Sequence, residues 1–167
     1  MYRLAARFLM TATLLVVATF AFAQSAAIDL GMKDFDKTQP VEVTADALSV
    51  NQQDGTAVFD GNVLVVQGEV RMSAGNVRVE YGQSGGSSGI SRLIATGGVT
   101  FVTATDAVEA READYSVDAG TVRLTGDVLL TQGQNAISGD TLTIDLGSGS
   151  GTIEGRVRTV FNTGGGN

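Results

Sequence analysis

The sequence predicts an all-β domain, because one pattern recurs along most of the chain. From residue 40 onward, apolar and polar residues alternate in short runs, such as "VEVTADALSV" at 41–50 and "TLTIDL" at 141–146. This period-2 alternation is typical of half-buried strands. The runs are separated by Gly, Asn, Asp or Ser, which tolerate turn geometry. No stretch after residue 40 has a helical period.

Only residues 40–161 carry this pattern, so we expect one β domain with a segment on either side. Residues 24–39 have no sustained period and are predicted to form a flexible leader. Residues 162–167, "NTGGGN", are predicted to form a flexible tail.

Residues 1–23 have the layout of a secretory signal peptide. Arg3 and Arg7 precede an apolar run from Phe8 to Phe20. Ala21-Phe22-Ala23 then forms a small-x-small cleavage site. The run is short for a membrane span. We therefore expect cleavage before Gln24 and a mature protein in the bacterial periplasm. The alternative is an uncleaved anchor helix.

Four copies of a Gly-x-Val phrase indicate a repeated β unit. The phrases begin at Gly61, Gly97, Gly126 and Gly155, and we expect each to open a strand. A Ser/Gly-rich loop at 82–89 lengthens the first interval. Units of about 30 residues are too small to bury their own apolar face and become stable by stacking on one another.

Alternation assigns one set of apolar side chains to the interior. The set is mostly medium-sized and aliphatic: Val41, Val43, Leu48, Val50, Phe59, Val63, Val65, Val79, Leu93, Val99, Phe101, Tyr115, Val117, Leu124, Val128, Leu130, Leu142 and Ile144. Two facing sheets lined in this way either close into a dry core or leave an apolar slot, and the sequence does not choose between them.

The composition excludes several kinds of partner and chemistry. The formal charge is −7, and it becomes −9 once Arg3 and Arg7 leave with the signal peptide. Nucleic acid is therefore excluded as a partner, because binding phosphate backbones needs clustered Lys and Arg. The sequence has no histidine and no cysteine, which rules out histidine-based triads, imidazole zinc sites and thiolate chemistry.

Two motifs that suggest chemistry have simpler interpretations. "GQSGG" at 82–86 matches the G-x-S-x-G elbow around Ser84, but that motif needs a following helix and a histidine base. Asp46, Asp114 and Asp140 recur beside small residues, which is ordinary turn chemistry rather than a calcium array. We predict a non-enzymatic protein without a cofactor or a metal site.

The two ends of the β domain are candidate docking edges. The first strand, 41–50, and the last, 156–161, are apolar, and the last has no proline or lysine to guard it. An unpaired edge accepts a strand from another protein by β-augmentation. The residues at these edges are Val41, Val43, Val157, Val160 and Phe161. The alternative is that the leader and the tail cover both edges.

The phrases "QPVEVTADALSV" and "GTAVFDGNVLVVQGEVRMSAGNVRV" resemble the start of the LptA/OstA-like lipopolysaccharide-transport proteins. The most telling features are Gln39-Pro40, Ala45-Asp46, Phe59-x-Gly61-Asn62-Val63, and Gln67-Gly68 followed by Ala74. The later phrase "LTGDVLLTQGQNAISGDTLTIDL" is similar to that family's later repeat. The resemblance extends over residues 38–161.

The resemblance implies a β-jellyroll of two twisted, slightly open antiparallel sheets with an apolar groove along its length. It also implies a periplasmic protein that carries lipopolysaccharide, with acyl chains in the groove and sugars outside. Val41, Val43 and Phe101 match groove-lining positions, and the rest of the interior set continues the groove. Implied partners are further copies of the chain, an inner-membrane-anchored jellyroll, and the N-terminal jellyroll of the outer-membrane lipopolysaccharide assembly protein.

Two alternatives remain open at this point. One is the membrane-anchored jellyroll of the same pathway, which would keep residues 8–20 as a span. The other is a structural or adhesive β-repeat scaffold with a dry core and no ligand.

Overall fold

The computed structural model describes residues 25–32, 35–36, 38–82 and 89–161. The predicted signal peptide, the predicted tail and most of the Ser/Gly-rich loop lie outside these residues. No described residue belongs to a helix, and accordingly the described part of the chain contains no helix suited to crossing a membrane.

Twelve β-strands make up most of the described chain, and they pair in antiparallel fashion throughout. They are β1 (Ser25–Asp29), β2 (Glu42–Thr44), β3 (Ala47–Asn51), β4 (Thr56–Gln67), β5 (Val70–Gly82), β6 (Gly89–Val102), β7 (Asp106–Ala110), β8 (Glu112–Ser116), β9 (Thr121–Gln132), β10 (Asn135–Asp145), β11 (Ser150–Glu154) and β12 (Arg158–Val160). The all-β prediction is confirmed.

The strands form one continuous sheet that is divided into two halves. Half-sheet I contains β2, β7 and β12 together with residues 63–67, 70–74, 99–102, 128–132 and 135–139 of the long strands. Half-sheet II contains β1, β3, β8 and β11 together with residues 56–60, 76–82, 89–96, 121–125 and 141–145. The two sheets predicted from the sequence are thus the two halves of one sheet.

The long strands pass from one half-sheet to the other at the Gly-x-Val phrases. In β4, Gly61 and Asn62 have φ angles of 79° and 46°, and in β9, Gly126 and Asp127 have φ angles of 83° and 50°. Glycine adopts this left-handed backbone without steric cost. The pairing register shifts at the same points, so that the strand bends without ending. The expectation that these phrases open strands is therefore wrong for Gly61, Gly97 and Gly126, which all lie inside strands.

Aspartates from neighbouring strands pack against two of these bends. A Cβ at Gly61 would lie 2.6 Å from Oδ2 of Asp46, and a Cβ at Gly155 would lie 2.7 Å from Cβ of Asp140. The amides of the same aspartates donate to the glycine carbonyls, at 2.9 Å and 3.1 Å respectively. Only glycine fits these two places, and Asp46 and Asp140 have the local backbone role that the sequence indicated.

A single apolar core lies between the half-sheets. Most of the predicted interior set is buried in it: Val63, Val65, Val79, Leu93, Val99, Phe101, Tyr115, Leu124, Val128, Leu130, Leu142 and Ile144. Four further members are only partly buried, namely Val41, Val43, Phe59 and Val117. The alternation therefore identified most of the inward side chains correctly.

Leu48 and Val50 contradict the interior assignment. Their side chains are 56% and 63% exposed, and every residue of β3 is exposed. Within the described chain, β3 pairs only with β4. The alternation correctly predicted the face of β3 on which these two side chains lie. No described element packs over that face at this edge of the sheet.

The predicted flexible leader contains a strand and part of the core, so that prediction is wrong for these residues. Ser25–Asp29 forms β1, which pairs with β11 along its whole length. Ile28, Leu30 and Met32 are buried. Their spacing does alternate, but it covers too few residues to stand out from the sequence, and pairing with a distant strand supplies the missing stability.

Candidate functional site

The space between the half-sheets is the candidate functional site, and both halves supply apolar side chains to it. The side chains from half-sheet I include Val65, Met72 and Phe101, and those from half-sheet II include Tyr115 and Val122. Apolar side chains in contact recognise other apolar groups through the area they remove from water. The interior is therefore suited to hydrocarbon and not to acid–base or nucleophilic chemistry.

The interior is almost filled by side chains in this conformation. The pocket lined by Phe35, Phe101 and Tyr115 has a volume of about 20 Å³, which is close to the space that one water molecule occupies. Most of the residues proposed from the sequence to line a groove are packed against one another, and Leu48 and Val50 are the exceptions. The sequence left a dry core and an apolar slot open as alternatives, and a packed apolar core fills the space in this conformation.

We call the end of the space between the half-sheets that lies opposite the Gly-x-Val bends the mouth. An N-terminal segment of the chain covers the mouth. We call it the strap and define it by Leu30, Gly31, Met32, Phe35 and Gln39. The strap connects β1, at one edge of half-sheet II, with β2, at the opposite edge of half-sheet I.

Apolar side chains of the strap fill the mouth. Leu30 is fully buried, and Met32 is 7% exposed. Phe35 packs against the core and lines the same small cavity as Phe101 and Tyr115. Three side chains of one segment thus complete a core that the half-sheets alone leave open at this end.

The strap also contacts turns at the ends of both half-sheets. The amide of Leu30 donates to the carbonyl of Gly149, in the β10–β11 turn, at 2.8 Å. Gly31 lies beside the β6–β7 turn, where an added Cβ would be 3.0 Å from Oγ1 of Thr105. These contacts place the strap between the turns of half-sheet II and those of half-sheet I.

A buried polar contact joins the strap to the two half-sheets. The hydroxyl of Tyr115, in half-sheet II, donates to Oε1 of Gln67, in half-sheet I, at 2.8 Å. Nε2 of Gln67 donates to the carbonyl of Gln39 at 2.9 Å. We call these three residues the clasp. Burial raises the pKa of Tyr115 above its ordinary value.

The sequence did not indicate the clasp or the strap as functional. Gln67 appeared only in the Gln67-Gly68 phrase that carries part of the family resemblance, and Tyr115 appeared as one interior residue among many. The available signal for the strap was the alternation of Ile28, Leu30 and Met32. Such a short signal cannot be told from chance without knowing that β11 lies alongside.

The predicted docking residues lie at the two edges of half-sheet I. In the described chain, β2 pairs only with β4, and β12 pairs only with β10. Val160 and Phe161 are 52% and 71% exposed. Val41, Val43 and Val157 pack partly against the core. The structure thus leaves one backbone edge of each strand without a partner among the described residues.

The outer face of half-sheet II carries arginine–carboxylate pairs. Nε of Arg92 donates to Oδ1 of Asp114 at 2.7 Å, and the Arg92 guanidinium also pairs with Oδ2. This hydrogen bonding holds the pKa of Asp114 below its usual range. Asp114 therefore has a different role from Asp46 and Asp140, and the expected equivalence of the three is wrong.

No cluster in the described part of the chain could hold a metal ion through three or more acidic, histidine or cysteine side chains. The remaining ion pairs are separate and exposed, such as Arg156 with Asp140 at 3.3 Å and Arg78 with Glu80 at 3.6 Å. Exposed pairs of this kind contribute little to stability.

Comparison with relatives agrees with the resemblance seen in the sequence. An uncharacterized protein of Rhizobium meliloti (strain 1021) is 28% identical over 152 residues, covering 86% of this chain and 82% of that protein. The lipopolysaccharide export system protein LptA of Escherichia coli (strain K12) is 32% identical over 114 residues, covering 65% of this chain and 60% of LptA. The alignment with LptH of Pseudomonas aeruginosa, the lipopolysaccharide export system protein of strain PAO1, has 32% identity over 79 residues and covers 47% of this chain and 43% of LptH.

A solved structure supports the fold. The crystal structure of LptH from Pseudomonas aeruginosa, the LptA-homologous periplasmic component of its lipopolysaccharide transport device, matches with a TM-score of 0.64. The match has 19% sequence identity and covers 76% of this chain and 98% of LptH. It confirms the predicted antiparallel β-jellyroll.

The family of the chain follows from its match to a family model. Residues 42–150 match the model described as "LptA/(LptD N-terminal domain) LPS transport protein". A transport family confirms the prediction that the protein is not an enzyme. The matched region takes in β2 to β10 and so both half-sheets. The chain therefore belongs to the LptA/(LptD N-terminal domain) family of lipopolysaccharide transport proteins.

Proposed function

We propose that this protein is a periplasmic lipopolysaccharide carrier that passes its cargo from an inner-membrane export complex to an outer-membrane assembly. The observation that supports this function most directly is the apolar space between the half-sheets. Both half-sheets line this space, and the strap covers it. The acyl chains occupy this space, and the sugars remain in water. Residues 1–23 direct export and are then removed.

The physical basis of binding is burial of hydrocarbon. Each Å² of apolar surface removed from water contributes about 25 cal/mol, and no metal or nucleophile is needed. The negatively charged exterior, with a formal charge of −7 for the whole chain, does not attract lipid phosphates strongly. We infer that this lack of attraction favours release to the next carrier.

The edges of half-sheet I support hand-over between similar jellyrolls. The strand order β2-β4-β5-β6-β7-β9-β10-β12 is antiparallel at every step, so that β2 and β12 run in opposite directions. Placing β12 of one molecule beside β2 of the next therefore continues an antiparallel sheet. Copies of the chain, an inner-membrane-anchored jellyroll and the N-terminal jellyroll of the outer-membrane assembly protein are the proposed partners.

The edges of half-sheet II do not have this property. The order β3-β4-β5-β6-β8-β9-β10-β11-β1 has one more step, so that β1 and β3 run in the same direction. Head-to-tail stacking through these strands would produce a parallel pair, which is slightly less stable per residue. We therefore assign docking to β2 and β12.

Photo-crosslinking in cells tests the carrier function. A photoreactive phenylalanine analogue at Phe101, which is 2% exposed and faces the interior, is expected to form lipopolysaccharide adducts. The matched control is the same analogue at Leu129, on the outer face of half-sheet I, where we expect no adduct. Absence of an adduct at Phe101 would favour the dry scaffold, which the packed interior also fits.

Amino-terminal sequencing of the exported protein separates the carrier from the anchored alternative. A start at Gln24 is the expected result. Retention of residues 8–20 would assign the chain to the membrane-anchored jellyroll component.

A further inference from the structure

We propose that the strap occupies the place of an acyl chain, and that lipopolysaccharide binds by displacing it. This inference rests on the proposed carrier function. It assigns the mouth between the half-sheets, now filled by Leu30, Met32 and Phe35, as the site where a saturated hydrocarbon chain first enters.

The chemistry and burial of the strap support this assignment. Its side chains Leu30 and Met32 are buried on either side of Gly31, where the backbone turns with a φ of 65°. Leu30 Cδ1 lies 3.1 Å from the place of a Cβ at Gly151, and so reaches β11 inside the core. These side chains fill the mouth with hydrocarbon, as an acyl chain in the same place would. The two occupants therefore exclude each other.

Each of the two occupants buries hydrocarbon in the same place. Displacing the strap exposes three apolar side chains, and an acyl chain in the same place covers the core again. The hydrophobic free energy gained by the acyl chain therefore offsets that lost with the strap. The polar contacts that must break are few, chiefly Leu30 with Gly149 and Gln67 with Gln39.

Space beside the strap gives a hydrocarbon chain a place to begin. A second cavity of about 330 Å³ lies between the strap and the β4–β5 and β6–β7 turns. Its lining combines the apolar side chains of Met32, Phe35 and Val70 with the carboxylates of Asp36 and Glu69. The small pocket of about 20 Å³ in the interior shares Phe35 and Val70 with it. Movement of Phe35 would join the two spaces.

Because the chain has no cysteine, two introduced cysteines can form a single disulfide that fixes the strap reversibly. Gly31 and Thr105 are close enough for a disulfide, since a Cβ at Gly31 would lie 3.0 Å from Oγ1 of Thr105. In the double variant Gly31→Cys/Thr105→Cys, oxidation fixes the strap over the mouth and reduction releases it. The reduced form is the matched control, because it carries the same backbone strain at position 31, where φ is +65°.

Binding of fluorescently labelled lipopolysaccharide is then measured for the oxidised, reduced and unaltered proteins. We expect the oxidised form to bind about tenfold or more weakly than the reduced form. Equal binding by the two forms overturns the strap inference and leaves the carrier function standing. No binding by the unaltered protein overturns both.

A second pair of variants keeps the test decisive if the disulfide variant does not fold. Met32→Ala weakens the strap and is expected to increase lipopolysaccharide affinity, although it also lowers the stability of the fold. Leu93→Ala removes a fully buried side chain of half-sheet II and is the control for destabilisation alone. Equal changes in affinity for the two variants would overturn the inference.

Discussion

The two half-sheets are built from the same repeated strands but differ at their edges and outer faces. Half-sheet II gains an extra strand, β1, and its outer face pairs Arg92 with Asp114. Half-sheet I ends in β2 and β12 and exposes apolar side chains on its outer side, among them Leu64 and Leu129. The difference indicates a division of labour. Under the proposed function, half-sheet I docks with partners and half-sheet II serves to stabilise the fold.

The largest expected effect tests the stabilising role of half-sheet II. Leu142→Ala removes a side chain that is fully buried in half-sheet II, and it is expected to lower the free energy of unfolding by about 2–5 kcal/mol. Leu129→Ala, on the outer face of half-sheet I, is expected to cost less than about 1 kcal/mol. Urea unfolding monitored by circular dichroism measures both. Similar losses in the free energy of unfolding for the two variants would contradict the stabilising role of half-sheet II.

The next prediction concerns docking through half-sheet I. Glu42 in β2 and Arg158 in β12 are both exposed, lie at opposite edges, and form no ion pair within the described chain. When β12 of one molecule lies beside β2 of another, these charges come within reach of each other across the new strand pair. We expect Glu42→Arg or Arg158→Glu alone to weaken self-association by about three- to tenfold.

The double variant Glu42→Arg/Arg158→Glu restores the opposite charges and is expected to recover self-association. Arg123→Glu, on the outer face of half-sheet II, is the matched control and should leave self-association unchanged. Sedimentation velocity over a range of protein concentrations measures all four proteins. Failure of the double variant to recover would contradict docking through β2 and β12.

The clasp bears on this comparison because its hydrogen bonds connect the two half-sheets. Tyr115→Phe removes the hydroxyl that donates to Gln67, and we expect a loss of about 1 kcal/mol in the free energy of unfolding. The raised pKa of Tyr115 means that its contribution is fully present below the ordinary tyrosine pKa, about 10. It is lost as the pH rises above that value. Alkaline unfolding curves should therefore be less pH-dependent in Tyr115→Phe, and identical curves would contradict the role of the buried hydroxyl.

The smallest expected effect lies on the outer face of half-sheet II. Arg92→Ala removes an exposed ion pair and is expected to lower the stability at neutral pH only slightly. Because Arg92 lowers the pKa of Asp114, the contribution is present above the ordinary aspartate pKa of about 3.9 and is lost as the pH falls below it. Thermal unfolding at pH 7 and at pH 3 measures the difference, which should shrink at the lower pH. A constant difference would show that the ion pair is not its source.

The regions in which apolar and polar residues alternate over many positions could be predicted from the sequence. Alternation over 40–161 gave the all-β class and most of the buried side chains. Alternation also predicted a single edge strand over 41–50, where the chain forms the two strands β2 and β3, and an edge strand over 156–161, where it forms β12. It failed at Leu48 and Val50, because periodicity gives the side of a strand and not whether another element covers that side. It also placed Gly61 and Gly126 at strand starts, because a glycine that bends a strand and one that ends it have the same sequence signal.

The strap and the clasp depend on contacts between distant residues, which local patterns do not encode. Leu30 is buried because β1 pairs with β11, more than 120 residues later. Tyr115 and Gln67 meet only because the two half-sheets face each other. The packed state of the interior could not be predicted for the same reason, since it depends on how the strap packs.

The most direct test of the account is residue-resolved hydrogen exchange with and without lipopolysaccharide. The Leu30 amide, which donates to Gly149 at 2.8 Å, reports on the strap, and the amides of β9 and β10 report on the half-sheets. We predict that lipopolysaccharide speeds exchange at Leu30 and leaves β9 and β10 as protected as before or more so. Slower exchange at Leu30 on binding, or loss of protection throughout β9 and β10, would contradict an acyl chain taking the place of the strap.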